Sequence, residues 1–195
     1  MTFPGFKMKS LILFYFLLLP FSAKANLLLQ YGLNYSSQED DSGSGKSSQS
    51  RSYNKAFIAA SVNGNKTIFF GWNINSWSSS LKQGSSSEDT YSILEMGPRL
   101  QWFMNDDNNL YLTAEWNPYA KGEREKGGAK QDITGSGIGL GLGYRFRLSR
   151  LIGFGASLNY QSLSIAEEKT NTTETDVSDS VSNIMPMLEL TILFR

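Results

Sequence analysis

The run GSGIGLGLGYRFRL, from Gly135 to Leu148, constrains the fold more than any other part of this chain. From residue 137 onward, Gly137, Gly139, Gly141, Gly143, Arg145 and Arg147 alternate with Ile138, Leu140, Leu142, Tyr144, Phe146 and Leu148. A period of two belongs to a β-strand, whose successive side chains point to opposite faces. A helix would lose roughly 1 kcal/mol at each of these four glycines, which excludes it. The strand therefore has one bulky apolar face and one nearly bare face. Such a wall suits lipid on one side and a crowded polar interior on the other.

Seven further segments repeat the two-faced pattern, each at about the ten residues that a tilted strand needs to cross a bilayer. The first, 26–36, sets Leu27, Leu29, Tyr31, Leu33 and Tyr35 against Gln30, Gly32, Asn34 and Ser36. The second, 52–62, is ambiguous: Ala56, Ile58, Ala60 and Val62 suit lipid, yet Tyr53, Phe57 and Ala59 are nearly as apolar. In the third, 66–77, Ile68, Phe70, Trp72 and Ile74 oppose Phe69, Gly71, Asn73 and Asn75. The fourth, 91–103, has Leu94, Met96, Pro98, Leu100 and Trp102 outward, and the fifth, 110–120, has Leu110, Leu112, Ala114, Trp116 and Pro118. The glycine run is sixth. The seventh, 151–163, and the eighth, 183–195, carry Ile152, Phe154, Ala156, Leu158 and Tyr160, then Ile184, Pro186, Leu188, Leu190, Ile192 and Phe194.

The connections alternate in length. Asn63 to Asn65, Asn105 to Asn109 and Ser149-Arg150 are short and rich in turn residues. Between them, Ser37 to Arg51, Ser78 to Thr90, Lys121 to Thr134 and Ala166 to Ser182 read as long polar loops. Eight strands with this alternation predict an all-β, antiparallel, up-and-down transmembrane barrel. Both termini and the short turns are then expected on the periplasmic side, with four long loops outside.

Residues 1–25 read as a cleaved signal peptide: Lys7 and Lys9, the apolar run from Leu11 to Leu19, then Ala23-Lys24-Ala25 before a cut at Asn26. The same design holds if translation starts at Met8. The apolar run is too short for a spanning helix, and residues 26–195 are left as one barrel domain. Of 18 basic residues the leader removes three, against 18 acidic ones, so the mature net charge is about −3. No basic footprint for nucleic acid results.

A soluble barrel also alternates, but its water-facing strands normally carry lysine. Here Lys46, Lys55, Lys66, Lys82, Lys121, Lys126, Lys130 and Lys169 read as loop or strand-end residues. Aromatics fall toward the strand ends, with Tyr35, Tyr91, Trp116 and Tyr160 at one edge and Trp102, Tyr144, Phe146 and Phe194 at the other. Rings at both edges match the interfacial girdles of a membrane barrel, although Trp72 lies nearer mid-strand.

A leader, eight strands, the string GYRF from Gly143 to Phe146 and the closing strand LELTILFR together resemble the small outer-membrane barrels of Gram-negative bacteria. The OmpA transmembrane domain, the OmpX and Ail type, and OmpW are the families concerned. The resemblance implies a monomer in the outer membrane, surrounded by lipid and lipopolysaccharide, with a structural or surface-recognition role carried by its loops. It also leaves open a narrow pore or an OmpW-like transporter of small molecules, and more remotely a lipid-modifying enzyme. One departure is Arg195, which follows Phe194 where the families' assembly signal usually ends on the aromatic. No OmpA-like peptidoglycan-binding domain is expected after strand eight.

Glu95, Arg99, Glu115, Arg145, Arg147 and Glu189 are the charged residues expected on the lumenal face. An eight-stranded barrel is only wide enough for its own side chains, so these charges are expected to pair. The turn at Asn105 to Asn109 sets Arg99 opposite Glu115 and predicts a salt bridge between them. The network then serves as a plug or, resembling the charged lumen attributed to OmpA, as a gate. Glycines on strand six are expected to relieve packing against side chains from opposite strands.

The chain contains no cysteine and no histidine. Disulfides, Ser-His and Cys-His nucleophile activation, and histidine or thiolate metal sites are all excluded. The enzymes that the resemblance brings to mind use histidine, so no catalytic role, cofactor or metal is expected. The acidic clusters Glu39-Asp40-Asp41 and Glu167-Glu168 lack the ligand spacing of an EF-hand loop and read as solvated loop charge.

Overall fold

The computed structural model describes residues 26–42, 45–83, 89–105, 107–126, 128–170 and 173–194. The expected signal peptide, its cleavage site and Arg195 lie outside the described residues. Eight strands follow in chain order: β1 (Leu27–Ser42), β2 (Gly45–Ser61), β3 (Ile68–Gln83), β4 (Asp89–Phe103), β5 (Leu110–Lys126), β6 (Ala129–Arg147), β7 (Ile152–Thr170) and β8 (Thr173–Phe194). Each pairs antiparallel with the next, and β8 returns to β1 to close the barrel.

Alternation sets the facing throughout. On β6 the apolar partners of the glycines point outward, with Ile138, Leu140 and Phe146 all more than half exposed. Strand β2 resolves with Tyr53, Lys55, Phe57 and Ala59 inward and Ala56 and Ile58 outward. The outward aromatics include Tyr35, Trp116 and Tyr160 at one level and Trp102, Tyr144, Phe146 and Phe194 at the other. Tyr91 departs from the expected girdle, because it shares the inward parity of Ile93 and Glu95 and packs within the lumen.

The short turns are closed by their first residue. The Asn63 side-chain oxygen accepts from the amides of Thr67 and Ile68 at 2.9 Å. Asn105 does the same for Asn109 and Leu110, and the Ser149 hydroxyl for Leu151 and Ile152. A side-chain acceptor of this kind replaces a backbone carbonyl and fixes a tight reversal. These turns and the described ends of the chain define one end of the barrel, here called the turn end.

At the opposite, hairpin end the structure overturns one expectation. The four segments read as long loops are mostly paired strand: β1 meets β2 as far as Ser42 and Gly45, and β7 meets β8 as far as Thr170 and Thr173. Strands therefore run to 22 residues, well beyond what a bilayer crossing needs. Cross-strand hydroxyl pairs support the extensions, among them Ser52 with Ser78 at 2.9 Å and Ser162 with Ser182 at 3.0 Å. Such pairs stabilise a ladder without apolar alternation.

Three outward prolines mark three irregularities of the sheet, while two more register shifts, between Thr134 and Gly135 and between Ile165 and Glu167, occur without proline. Proline has no N–H to give, so the ladder on one of its sides must lapse. The β4–β5 register shifts between Met96 and Arg99, around Pro98. The β5–β6 register shifts between Asn117 and Ala120, around Pro118. The β1–β8 ladder covers Leu27–Leu33 against Leu188–Phe194 and ends just before Pro186. Beyond that point side chains bridge the seam: Asn34 Nδ2 donates to the Pro186 carbonyl at 2.6 Å, and Arg51 Nη1 to Asn183 Oδ1 at 3.2 Å.

Candidate functional site

The lumen is filled in three layers. At the turn end, Leu28, Phe57, Ala59, Phe69, Phe103, Tyr111 and Leu193 form an apolar cluster. Phe103 meets Phe69 and Tyr111 edge to face at 5.7 and 5.6 Å. Toward the hairpin end, Tyr53, Trp77, Ile93, Ala120, Ile133, Leu163, Ile165 and Met187 form a second. Both clusters come from inward positions that a purely polar interior would leave to small or polar residues.

Between them lies a polar layer whose charged members are at most 6 % exposed. Its ion pair joins Lys55 Nζ to Glu115 Oε2 at 2.8 Å, with both side chains buried. Asn75 Nδ2 donates to the other Glu115 oxygen at 3.0 Å. The expected Arg99–Glu115 salt bridge is not formed, although the two residues are backbone neighbours across β4 and β5. Arg99 extends across the lumen, donating from Nη2 to Gln30 Oε1 at 3.1 Å and Gln101 Oε1 at 3.2 Å, and its guanidinium covers the Phe57 ring at 4.6 Å. Lys55, read from sequence as a strand-end residue, takes the place assigned to Arg99.

The other two lumenal carboxylates are held by neutral donors. Glu95 accepts from Gln161 at 2.5 Å and from Asn117 at 3.1 Å. Glu189 accepts from Gln30 at 2.6 Å, from Ser157 at 2.7 Å and from the Tyr111 hydroxyl. A buried carboxylate calls for cations or convergent N–H and O–H groups, and here amides and hydroxyls serve, although the donors to Glu95 all meet Oε2 and leave Oε1 without one.

Arg145 and Arg147 belong to the turn end. Arg145 is buried, donates from Nε to the Asn108 carbonyl at 3.1 Å and lies over the Phe103 ring. Arg147 is exposed and reaches the Asp107 carbonyl at 2.8 Å. Both therefore clamp the β4–β5 turn.

The bare wall of β6 is where these layers find room. An added Cβ at Gly137 would meet the Glu95 carboxylate at about 3.0 Å, and one at Gly139 would meet Gln161 Oε1 and, at 2.7 Å, Glu115 Cγ. At Gly141 it would meet Thr113 and Asn159, and at Gly143 the ring of Tyr111. Side chains from other strands lie against all four glycines, leaving no passage along that wall.

Open space occurs above the second apolar cluster. A cavity of about 520 Å³ lies at the hairpin end, with Tyr53 and Trp77 at its floor and Tyr91, Val181 and Met185 in its walls. Its remaining side is the unladdered part of the β1–β8 seam, where Asn34, Ser36, Asn183 and Pro186 line it. Sequence reading missed this cavity, because its boundary is set by where one ladder stops.

No family model matches the chain, and no curated protein matches it. Among solved structures, Neisserial surface protein A aligns at 12 % identity and TM-score 0.45, over 88 % of this chain and 99 % of that one. The β domain of the Bordetella autotransporter BrkA aligns at 9 % identity and TM-score 0.47, over 88 % and 100 %. The COG4313 outer membrane channel from Pseudomonas putida F1 aligns at 9 % identity and TM-score 0.36, over 87 % and 95 %. These likenesses concern fold alone. On its own strand pairing and facing, the chain is a small eight-stranded antiparallel β-barrel of the outer-membrane type.

Proposed function

We propose that this protein is a monomeric outer-membrane barrel that does not conduct and acts at the cell surface through its extended hairpins. The layered lumen carries the reading: two apolar clusters enclose a polar layer whose members water scarcely reaches. A barrel of eight strands has just enough interior for such a filling. The outward band of apolar side chains with rings at both edges supports a setting among lipid and lipopolysaccharide. Hairpins of this length place polar, hydroxyl-rich strands beyond the bilayer, where recognition and adhesion surfaces belong. The turn end then faces the periplasm.

The absence of cysteine gives a direct test. A cysteine at Gly128, in the β5–β6 hairpin, should react with a membrane-impermeant maleimide on intact cells. One at Gly64, in the β2–β3 turn, should react only after the outer membrane is opened. Labelling of Gly64→Cys alone on intact cells would refute the proposed orientation and with it the surface role.

A further inference from the structure

We infer that the hairpin-end cavity is a binding site for one small, uncharged, mainly apolar molecule carrying a hydrogen-bond acceptor such as a ketone or ester carbonyl. The inference goes beyond the surface role proposed above and does not depend on it. Four observations carry the assignment.

The first is size. A volume of about 520 Å³ falls within the range of sites that enclose a small organic molecule, roughly 300–1,000 Å³. The second is the character of the walls. Tyr91, Val181 and Met185 supply aromatic and aliphatic surface, and the cavity stands directly on the apolar cluster that contains them as partly buried members.

The third is a pair of unused donors at the floor. Tyr53 is 2 % exposed and Trp77 8 %, the two are neighbours across β2 and β3, and both line the cavity. Neither the Tyr53 hydroxyl nor the Trp77 indole N–H has a hydrogen-bond partner. A buried donor left unmade is costly, and tyrosine and tryptophan normally find an acceptor when buried. The two polar atoms are themselves covered, so an occupant with an oxygen acceptor suits the apolar walls and satisfies these donors once the Tyr53 and Trp77 side chains turn toward it.

The fourth is charge. Arg124 lines the cavity but is already engaged by Glu168 at 3.1 Å and Asp179 at 3.8 Å, and its guanidinium covers the Tyr91 ring at 4.9 Å. Arg51 is tied to Asn183 across the seam, and Asp89 adds a negative charge to the wall. The cations are thus offset, so an anionic occupant gains little over a neutral one. Below the floor the lumen is closed, which makes the cavity a terminus for its occupant.

Prodan, a naphthalene that carries both a ketone and a solvent-sensitive emission, is a suitable probe. The purified full-length mature barrel in detergent should bind it saturably, one per barrel, with a blue-shifted emission beyond that of micelles alone. Val181→Trp fills the cavity and should weaken binding at least tenfold while the barrel keeps its heat-sensitive gel migration. Ser36→Trp, at the exposed rim, serves the same purpose if the first variant does not fold. Tyr53→Phe combined with Trp77→Phe should weaken prodan about 5- to 50-fold, as expected for two modest hydrogen bonds. The anionic naphthalene sulfonate probe ANS should bind more weakly than prodan. Absence of a saturable component in the wild-type barrel, or wild-type affinity in the filled variants, overturns the site. Equal affinity of the double phenylalanine variant overturns the acceptor requirement, and tighter binding of ANS overturns the preference for a neutral ligand. None of these results depends on whether the lumen conducts.

Discussion

Replacing Lys55 with methionine removes the cation from the buried pair and leaves Glu115 with Asn75 as its neighbouring donor. At 2.8 Å, and with an effective dielectric constant of about 20, the attraction between the two charges is about 6 kcal/mol before desolvation is set against it. Breaking a buried pair by deleting one partner costs about 3–5 kcal/mol, because the remaining charge stays out of water. Lys55→Met should therefore destabilise the barrel by about 3–5 kcal/mol. Lys55→Met combined with Glu115→Gln should recover much of that loss, giving a coupling of about 2–4 kcal/mol. Arg99→Met loses two amide contacts and the face of Phe57, a cost of about 1–3 kcal/mol. Its coupling to Glu115 should be clearly smaller than that of Lys55, because the two side chains share a low-dielectric lumen without forming a direct ion pair. Urea unfolding in lipid vesicles, followed by tryptophan fluorescence and by heat-sensitive gel migration, measures each corner of the two cycles. A strong Arg99–Glu115 coupling with none between Lys55 and Glu115 would refute the assignment of the pair.

The glycine wall and the seam give further expectations. Gly139→Ala places a methyl group against Gln161 and Glu115 and should cost about 1–3 kcal/mol in the same unfolding assay. Gly64→Ala, in open space at the β2–β3 turn, should change stability by less than about 0.5 kcal/mol, and a reversed order would sink the packing account. In hydrogen exchange, β1 amides beyond Leu33 that point toward β8 should exchange about 100-fold or more faster than those of the laddered stretch. Uniform protection along that edge would mean that the ladder continues past Pro186.

Much of this architecture is written in side-chain alternation. Period-two patterning fixes strand number, order and facing, and the turn residues at Asn63, Asn105 and Ser149 mark the reversals that the structure contains. Contacts across the lumen are a different matter. Register brings Arg99 beside Glu115, but in so narrow a barrel a long side chain reaches the far wall as easily as its neighbour, and Arg99 goes to Gln30. Lys55 was hidden because β2 is apolar on both faces, so its parity could not be read. The one clue was a lysine flanked at alternate positions by Tyr53 and Phe57, two residues that belong to the lumen. The hairpin extensions leave no signal in the sequence for a related reason. Serine-rich strands beyond the apolar band have no apolar face to alternate, and hydroxyl pairs between neighbouring strands leave no periodic mark. The cavity follows from Pro186, whose effect on one ladder depends on which strand stands beside it.

The central claim is that the filled lumen blocks passage, and conductance across a planar bilayer tests it most directly. Purified barrel, shown by gel migration to be folded, should insert without producing steady channels at moderate voltage and salt. Reproducible unitary conductance from that same sample, altered by Arg99→Met or Lys55→Met, would contradict the sealed lumen and make the polar layer a gate.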